Sequence, residues 1–494
     1  MLLKHPKNAL TWRNHMNYRI ILQILGWVLN LQGTFMLLPC LVGILYKEYH
    51  DALIYFILGV ICTIIGIILR KIKTKNTTFF AKEGFVAVSF SWVILSITGA
   101  LPFVLNGDIP SFTNALFEII SGYTTTGSSI LTDVEALSHA NLLFRSFSHW
   151  IGGMGVLVFI LAILPMTGGS TMNLLKAESP GPSVGKLVPK MQQTALYLYA
   201  IYIALTVIQF IVLLIAGMPV FDSLCHTFAT AGTGGFGIKN DSVASYAPHL
   251  QNILTFFMFI FGVNFSFYYY ILIRRVRDAF KMEEVHWYIG IFVGAIVLIM
   301  INLVSHGYPL GESLRYTAFQ VSTIMTTTGY ATTDFNLWPE FSKSILVCLM
   351  FFGACAGSTS GGLKISRIML YVKQIHKELM QQIHPKRVHI IKIEGKPLPY
   401  NTAHSCNVLL MTYILVFIIS YLLISLNGFD TTTNFTAIAA TLNNIGPGLN
   451  MVGPTGNFSE FSTFSKYVLM FDMLAGRLEI IPMVLLFYPS TWKK

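Results

Sequence analysis

The residue types best placed to do chemistry in this 494-residue chain are threonine and glycine. The chemistry they suggest is cation coordination, not bond making. One short turn is written four times: Tyr123-Thr-Thr-Thr-Gly127, Thr230-Ala-Gly-Thr-Gly234, Met325-Thr-Thr-Thr-Gly329 and Leu442-Asn-Asn-Ile-Gly446. The copies lie about a hundred residues apart, a period that points to duplication around an axis. Glycine permits backbone dihedrals closed to other residues, so successive carbonyls can point the same way. Four such strands around one axis would present rings of carbonyl and threonine oxygens, which can replace the water shell of a potassium-like cation.

The surrounding chain is that of a membrane protein. Hydrophobic residues make up 54% and charged ones 11%, against roughly 25% charged in ordinary globular proteins. The mean hydropathy of +0.63 agrees. A net charge of +11 could suggest nucleic acid, but its distribution argues otherwise. Most Lys and Arg cluster before residue 20, in 70–82, 176–190, 274–281 and 364–396, and at the terminal Lys493-Lys494. All these links and tails fall on one predicted side, the positive-inside pattern, which makes both termini cytoplasmic. The opposite links carry Asp108, Asp133, Glu135, Asp222, Asp241, Asp334, Glu340 and Asp430. That predicts an acidic outer vestibule able to concentrate cations, although ordinary loop solvation explains any single acid. The six cysteines have no CxxC pair and indicate neither a zinc site nor a disulfide framework. The basic N-terminus lacks a small-residue cleavage signal and reads as leading into a retained first span.

The elements that must position the turns follow from hydropathy. Two spans, 20–46 and 52–69, form a leading hairpin packed outside the repeats. Each repeat then reads as a span, a half-length segment, a turn and a second span. The segments 111–123, 220–231, 312–325 and 431–442 are too short to cross about 30 Å of hydrocarbon and read as re-entrant. First spans are expected at 85–105, 195–216, 288–304 and 408–426, and second spans at 142–165, 253–273, 341–376 and 464–488. The expectation is ten full spans and four re-entrant helices. The corresponding division is 1–76 for the hairpin, then 77–190, 191–282, 283–400 and 401–494 for the repeats. A re-entrant helix running inward aims the negative pole of its macrodipole at mid-membrane, which favours a cation.

Taken together, Thr124-Thr-Thr-Gly-Ser-Ser129, Ala231-Gly-Thr-Gly-Gly-Phe-Gly237, Thr326-Thr-Thr-Gly-Tyr-Ala331 and Asn443-Asn-Ile-Gly-Pro-Gly448 resemble the TrkH/KtrB family of bacterial potassium-uptake membrane subunits. Cys355-Ala-Gly-Ser-Thr-Ser-Gly-Gly-Leu-Lys364 and Ala475-Gly-Arg-Leu-Glu479 add to the resemblance, and the leading hairpin fits the TrkH branch. The resemblance implies an all-α integral membrane protein with four M1–P–M2 potassium-channel-like repeats in pseudo-fourfold arrangement plus an N-terminal two-helix hairpin. It further implies a homodimer with one pore per protomer in the bacterial inner membrane. A cytosolic nucleotide-binding regulatory ring of the TrkA type would dock on the inner face.

The expected potassium filter comprises Thr125, Thr126 and Gly127; Gly232, Thr233 and Gly234; Thr327, Thr328 and Gly329; and Asn444, Ile445 and Gly446. One glycine per repeat stands in register, fewer than in the TVGYG of tetrameric channels, so discrimination between potassium and sodium should be looser. The run 353–362 holds only Gly, Ala, Cys, Ser and Thr. Small residues at this density mark close helix packing, or else an unwound loop in a wet cavity. In the family the matching segment blocks the pore below the filter, which makes Gly357, Ser358, Thr359, Ser360, Gly361 and Gly362 a gate with Lys364 at its inner end. Arg477 lies mid-span, where an arginine is costly and faces protein or water. It reads as an ion pair with Asp472 or Glu479, as a fixed charge holding the gate, or as both. Arg145 reads as snorkelling or packing, and most of the thirteen histidines lie at span ends and read as interfacial.

The basic link 364–396 can be solvated or bind anionic lipid, but its eight basic residues and its position favour docking of a cytosolic partner. Residues 181–186 superficially suggest a P-loop, but the spacing is one short and Leu187 replaces the required Ser or Thr. The chain thus carries no visible nucleotide site of its own. A membrane-embedded enzyme would need acids, histidines or a metal cluster at one depth, and none is visible. The channel-like subunit of a potassium-pumping ATPase and a cation-coupled symporter stay open as alternatives to a gradient-driven pore.

Overall fold

The computed structural model describes residues 16–72, 81–153, 155, 191–387 and 389–492. By length and composition, six continuous helices among these residues could cross a membrane: Tyr18–Leu45, Tyr49–Arg70, Lys82–Leu105, Gln193–Ile215, Glu283–Ser305 and Asn401–Asn427. The first two are the leading hairpin and the other four are the first spans of the repeats. The hairpin closes through glycines: a β-carbon on Gly26 would lie 2.8 Å from the Gly66 carbonyl oxygen, and one on Gly59 would lie 3.0 Å from that of Gly33. Bare backbone surfaces of this kind let two helices approach where lipid offers no hydrophobic drive to do so. The hairpin is tied to the first repeat by Gln32, whose Oε1 accepts from the Tyr123 hydroxyl at 2.7 Å. Glu48 adds a second tie by accepting from the backbone N–H groups of His139 and Ala140 at 2.9 and 3.0 Å.

The four half-length helices are Phe112–Tyr123, Val220–Ala231, Leu310–Met325 and Thr431–Leu442. Their 12 to 16 residues make about 18–24 Å of helix, short of a span. Proline at or just before the first helical turn starts three of them, through Pro110, Pro219 and Pro309. The fourth is capped by Asp430, whose carboxylate accepts from the Thr433 N–H at 2.9 Å.

The second spans differ from the expectation of ten full spans, because those described are interrupted at depth. In repeat two, Pro248–Phe261 and Phe265–Leu272 are bent by 87°. In repeat three, a loop separates Glu340–Met350 from Ile365–Ile383. In repeat four, Thr463–Arg477 and Ile481–Phe487 flank a break where Glu479 and Ile480 take φ of 56° and 67°. In repeat one, His139–Gly153 is described, and most of the remaining expected span lies outside the described residues. Broken helices are tolerable in a membrane only where the freed groups find partners in protein or water. Here two breaks serve each other: the Phe265 N–H donates to the Gly357 carbonyl at 3.0 Å, and the Cys355 N–H to the Gly262 carbonyl at 3.1 Å.

The hairpin packing makes a direct prediction. Gly59→Leu should overpack the interface at a cost of about 1–3 kcal/mol and lower the melting temperature in detergent. Gly294→Leu, where nothing lies within 4 Å, should leave it unchanged.

Candidate functional site: a ring of four turns and the loop beneath it

Each half-length helix unwinds in the same way. The backbone N–H groups of Thr126, Gly234, Thr328 and Ile445 donate to the carbonyls of Ser121, Ala229, Thr323 and Ala440, each at 2.8 Å. One residue earlier, Thr125, Thr233, Thr327 and Asn444 take φ of 54–56°. One residue later, Gly127, Gly235, Gly329 and Gly446 take φ of 74–105°, the region where glycine is unstrained.

This register corrects the sequence alignment in repeat two. Gly235 is the equivalent of Gly127, Gly329 and Gly446, whereas Gly234 stands where the other repeats have Thr126, Thr328 and Ile445. The expected residues Gly232, Thr233 and Gly234 are in the turn, shifted by one. A motif containing four glycines in six residues, 232–237, offers several alignments, and only the hydrogen-bond pattern selects one.

The four turns close on each other. A β-carbon on Gly127 would overlap the carbonyl oxygen of Gly234, one on Gly235 that of Thr328, and one on Gly329 that of Ile445. A β-carbon on Gly446 would lie 2.9 Å from the carbonyl oxygen of Thr126. The cycle of repeats one, two, three, four and back to one is complete. The same four glycines line one cavity on one side of the ring. The loop acids do not line this cavity: its charged lining residues are Lys239 and Arg145, the latter paired with Glu118. Asp133 and Glu135 stand beside it and are engaged by Asn240, at 2.9 and 3.1 Å. Loop acids counted along the sequence say which side of the membrane they occupy, not whether they reach the pore mouth.

Behind the ring the repeats are buttressed differently. In repeats one and three the threonine hydroxyls pair, Thr124 with Thr126 at 2.7 Å and Thr326 with Thr328 at 2.8 Å. In repeat four, Asn444 Nδ2 donates to the Thr126 hydroxyl and to the Met473 carbonyl, both at 2.9 Å, and so stitches copy four to copy one. Within repeat one, and reaching to repeat two, lies a buried ion pair that the sequence reading missed. Arg145 Nε donates to Glu118 at 2.8 Å, with side-chain exposures of 2% and 0%. Glu118 also accepts from Ser129 Oγ at 2.9 Å and from the Ile130 N–H at 3.0 Å, and Arg145 donates to the Gly237 carbonyl at 3.0 Å. Its guanidinium lies 3.8 Å from the centre of the Phe236 ring.

Arg145 therefore neither snorkels nor merely packs. Removing one partner of such a pair strands a buried charge, at about 3–5 kcal/mol. The available signal was a glutamate inside a re-entrant helix with an arginine in the following span. His149 and His226 are likewise fully buried, not interfacial.

On the other side of the ring lies the loop 351–364. The Gly361 N–H donates to the Thr327 hydroxyl at 2.7 Å, and a β-carbon on Gly361 would lie 2.6 Å from the Asn443 carbonyl oxygen. The small-residue run is thus an unwound loop pressed against the turns of repeats three and four. Gly357 and Gly362 have φ of 71° and 68°. Ser358 and Ser360 share a hydrogen bond of 2.8 Å within the loop. Lys364, buried, staples it by donating to the carbonyls of Ser360 and Gly361, the latter at 3.2 Å. Glu284, also missed by the sequence reading, holds both ends: it accepts from the Ala356 N–H at 2.6 Å and the Ser366 N–H at 3.1 Å.

Arg477 reaches the loop from repeat four. It donates to the Thr359 carbonyl at 2.9 Å, to the Gly153 carbonyl at 2.7 Å and to the Gly152 carbonyl. The two carboxylates expected beside it have partners of their own: Glu479 pairs with Arg367 at 2.6 Å, and Asp472 accepts from Ser420 at 2.7 Å. Among the described residues, no group of three or more His, Cys, Asp or Glu could hold a metal ion.

Known proteins share this arrangement. The TrkH family, described as cation transport protein, matches residues 54–494. The Trk system potassium uptake protein TrkH of Salmonella typhimurium is 36% identical over 486 residues, covering 97% of this chain and 100% of that protein. TrkG of Escherichia coli, also a Trk system potassium uptake protein, is 30% identical with the same coverage. The crystal structure of the potassium transporter TrkH from Vibrio parahaemolyticus has a TM-score of 0.87 and 31% identity, covering 97% of this chain and all of that one. The chain therefore belongs to the TrkH family of cation transport proteins.

Proposed function

We propose that this protein takes up potassium through a channel-like, gated pore in the bacterial inner membrane, with both termini in the cytoplasm. The observation that carries this reading is the closed cycle of contacts among Gly127, Gly235, Gly329 and Gly446. Backbone held this close has no room for side chains, so what faces the axis is main-chain oxygen. Oxygen without a helical partner at this depth requires a cation or water. The inward-running half-length helices point their negative poles at the same place. A negative cell interior supplies about 2.3 kcal/mol per charge per 100 mV, so uptake needs no chemistry in this chain. The relatives' names, which are those of potassium uptake proteins, support potassium as the cargo.

The loop 351–364 is the gate in this reading, and Arg477 is its latch. The arginine places a positive charge beneath the ring and bonds loop to wall, which opposes a cation twice, by repulsion and by obstruction. The basic link that follows, on and beyond the helix Ile365–Ile383, would receive a cytosolic nucleotide-binding subunit of the TrkA type. Pulling that helix would draw directly on Lys364 and the loop. The unit in the membrane would be a homodimer with one pore in each protomer.

Two measurements on purified protein in liposomes test these assignments. Gly235→Ala should abolish potassium selectivity over sodium, or flux altogether, because a β-carbon there meets the Thr328 carbonyl. Full retention of selectivity would remove Gly235 from the ring, and the Gly329→Asp protein supplies an independent reading of the same ring. Arg477→Gln, or deletion of 357–360, should raise potassium flux several-fold without a partner present. Unchanged flux in both would leave the loop without a gating role.

A further inference from the structure

Repeat two departs from its neighbours in having no hydroxyl pair: Gly232 and Gly234 occupy the places of Thr124 and Thr126. Neither glycine is there for its backbone angles. Gly232 has φ −71° and ψ −12°, and Gly234 is not in the positive-φ region. Both are there for space, and the space is filled by one residue. A β-carbon on Gly234 would overlap the imidazole ring of His149, and one on Gly232 would overlap the His149 carbonyl.

His149 is fully buried and sits between repeats. Its Nδ1 faces the Gly122 carbonyl at 2.8 Å, so Nδ1 carries the proton and donates. Nε2 is then free to accept, and the Phe236 N–H donates to it at 3.3 Å. Gly122 lies in the last turn of the first repeat's half-length helix, and its carbonyl also receives the Thr125 N–H at 3.1 Å. Phe236 is the residue directly after Gly235. One imidazole thus fixes the start of one ring turn and the exit of the next.

We propose that His149 is a positioning residue for ion selection: its neutral imidazole does for the second turn what paired threonine hydroxyls do for the first and third. It touches no ion and acts through the backbone it holds. Resting on the potassium reading above, the proposal names a selectivity determinant within it.

The experiment compares relative potassium and sodium flux in liposomes for the wild type, His149→Phe, His149→Ala and the double variant His149→Ala with Gly234→Thr. His149→Phe keeps a ring in the space but neither hydrogen bond, and His149→Ala empties it. Each single variant should still conduct potassium while the potassium-to-sodium flux ratio falls at least fivefold. In the double variant a threonine enters the vacated space, and the ratio should recover to within about twofold of wild type. Gly234→Thr alone, with the imidazole in place, should be the poorest of the set.

A His149→Phe protein with wild-type selectivity would show that the ring merely fills volume and would overturn the proposal. So would a double variant no better than His149→Ala. If the phenylalanine variant fails to fold, judged by its elution and melting, the alanine pair decides alone. A wild-type protein without potassium preference in the same vesicles would instead overturn the functional reading beneath it.

Discussion

The structure depends on one constraint: four stretches of non-helical backbone must meet with no side chain between them. Each ring glycine sits where its neighbour's carbonyl leaves no room for a β-carbon, and the relation runs through all four repeats without a gap. Unpaired main-chain oxygen in hydrocarbon costs several kcal/mol per group, so the ring can exist only enclosed by protein and open to water along its axis. The half-length helices provide both conditions. They are too short to span, so they end at mid-depth, and their termini hand the chain to the turns.

The interrupted second spans follow from the same requirement. Straight helices on the inner side would seal the axis or stand away from it. Their breaks instead place small residues and non-helical carbonyls beside the ring, where the carbonyls accept from backbone N–H groups and basic side chains. The loop 351–364 has few regular backbone bonds of its own and is held by Lys364, Arg477 and Glu284. A segment held by a few side chains belongs to the low-stability end of a fold, the end from which moving parts are drawn. The ring, by contrast, is held by backbone hydrogen bonds repeated in every copy.

The fourfold symmetry is one of backbone, not of side chains. Threonine pairs, a histidine, and an asparagine stitched across to repeat one each secure the same main-chain path. The Glu118–Arg145 pair braces repeat one against repeat two, and the loop presses on the turns of three and four. A single chain that has duplicated its pore unit can let each copy drift, provided that each drift keeps its turn in place. That freedom lets one repeat carry an unwound loop while another carries a buried ion pair.

Hydropathy and the positions of glycine and proline in the sequence already determine the membrane class, the leading hairpin, the half-length helices and the repeat. These are local properties: a twelve-residue apolar segment is too short to span whatever surrounds it, and the turn position with φ of 74–105° holds glycine in all four copies. Val220–Ala231 and Thr431–Leu442 are legible to the residue for that reason. The register in repeat two, the breaks in the second spans, the charged residues lining the cavity and the buried pair Glu118–Arg145 are decided only by tertiary structure. Each depends on which atoms from distant parts of the chain arrive together, as His149 arrives behind Gly234 from 85 residues away. Sequence records what a residue can do, and only packing in three dimensions decides which neighbour it does it to.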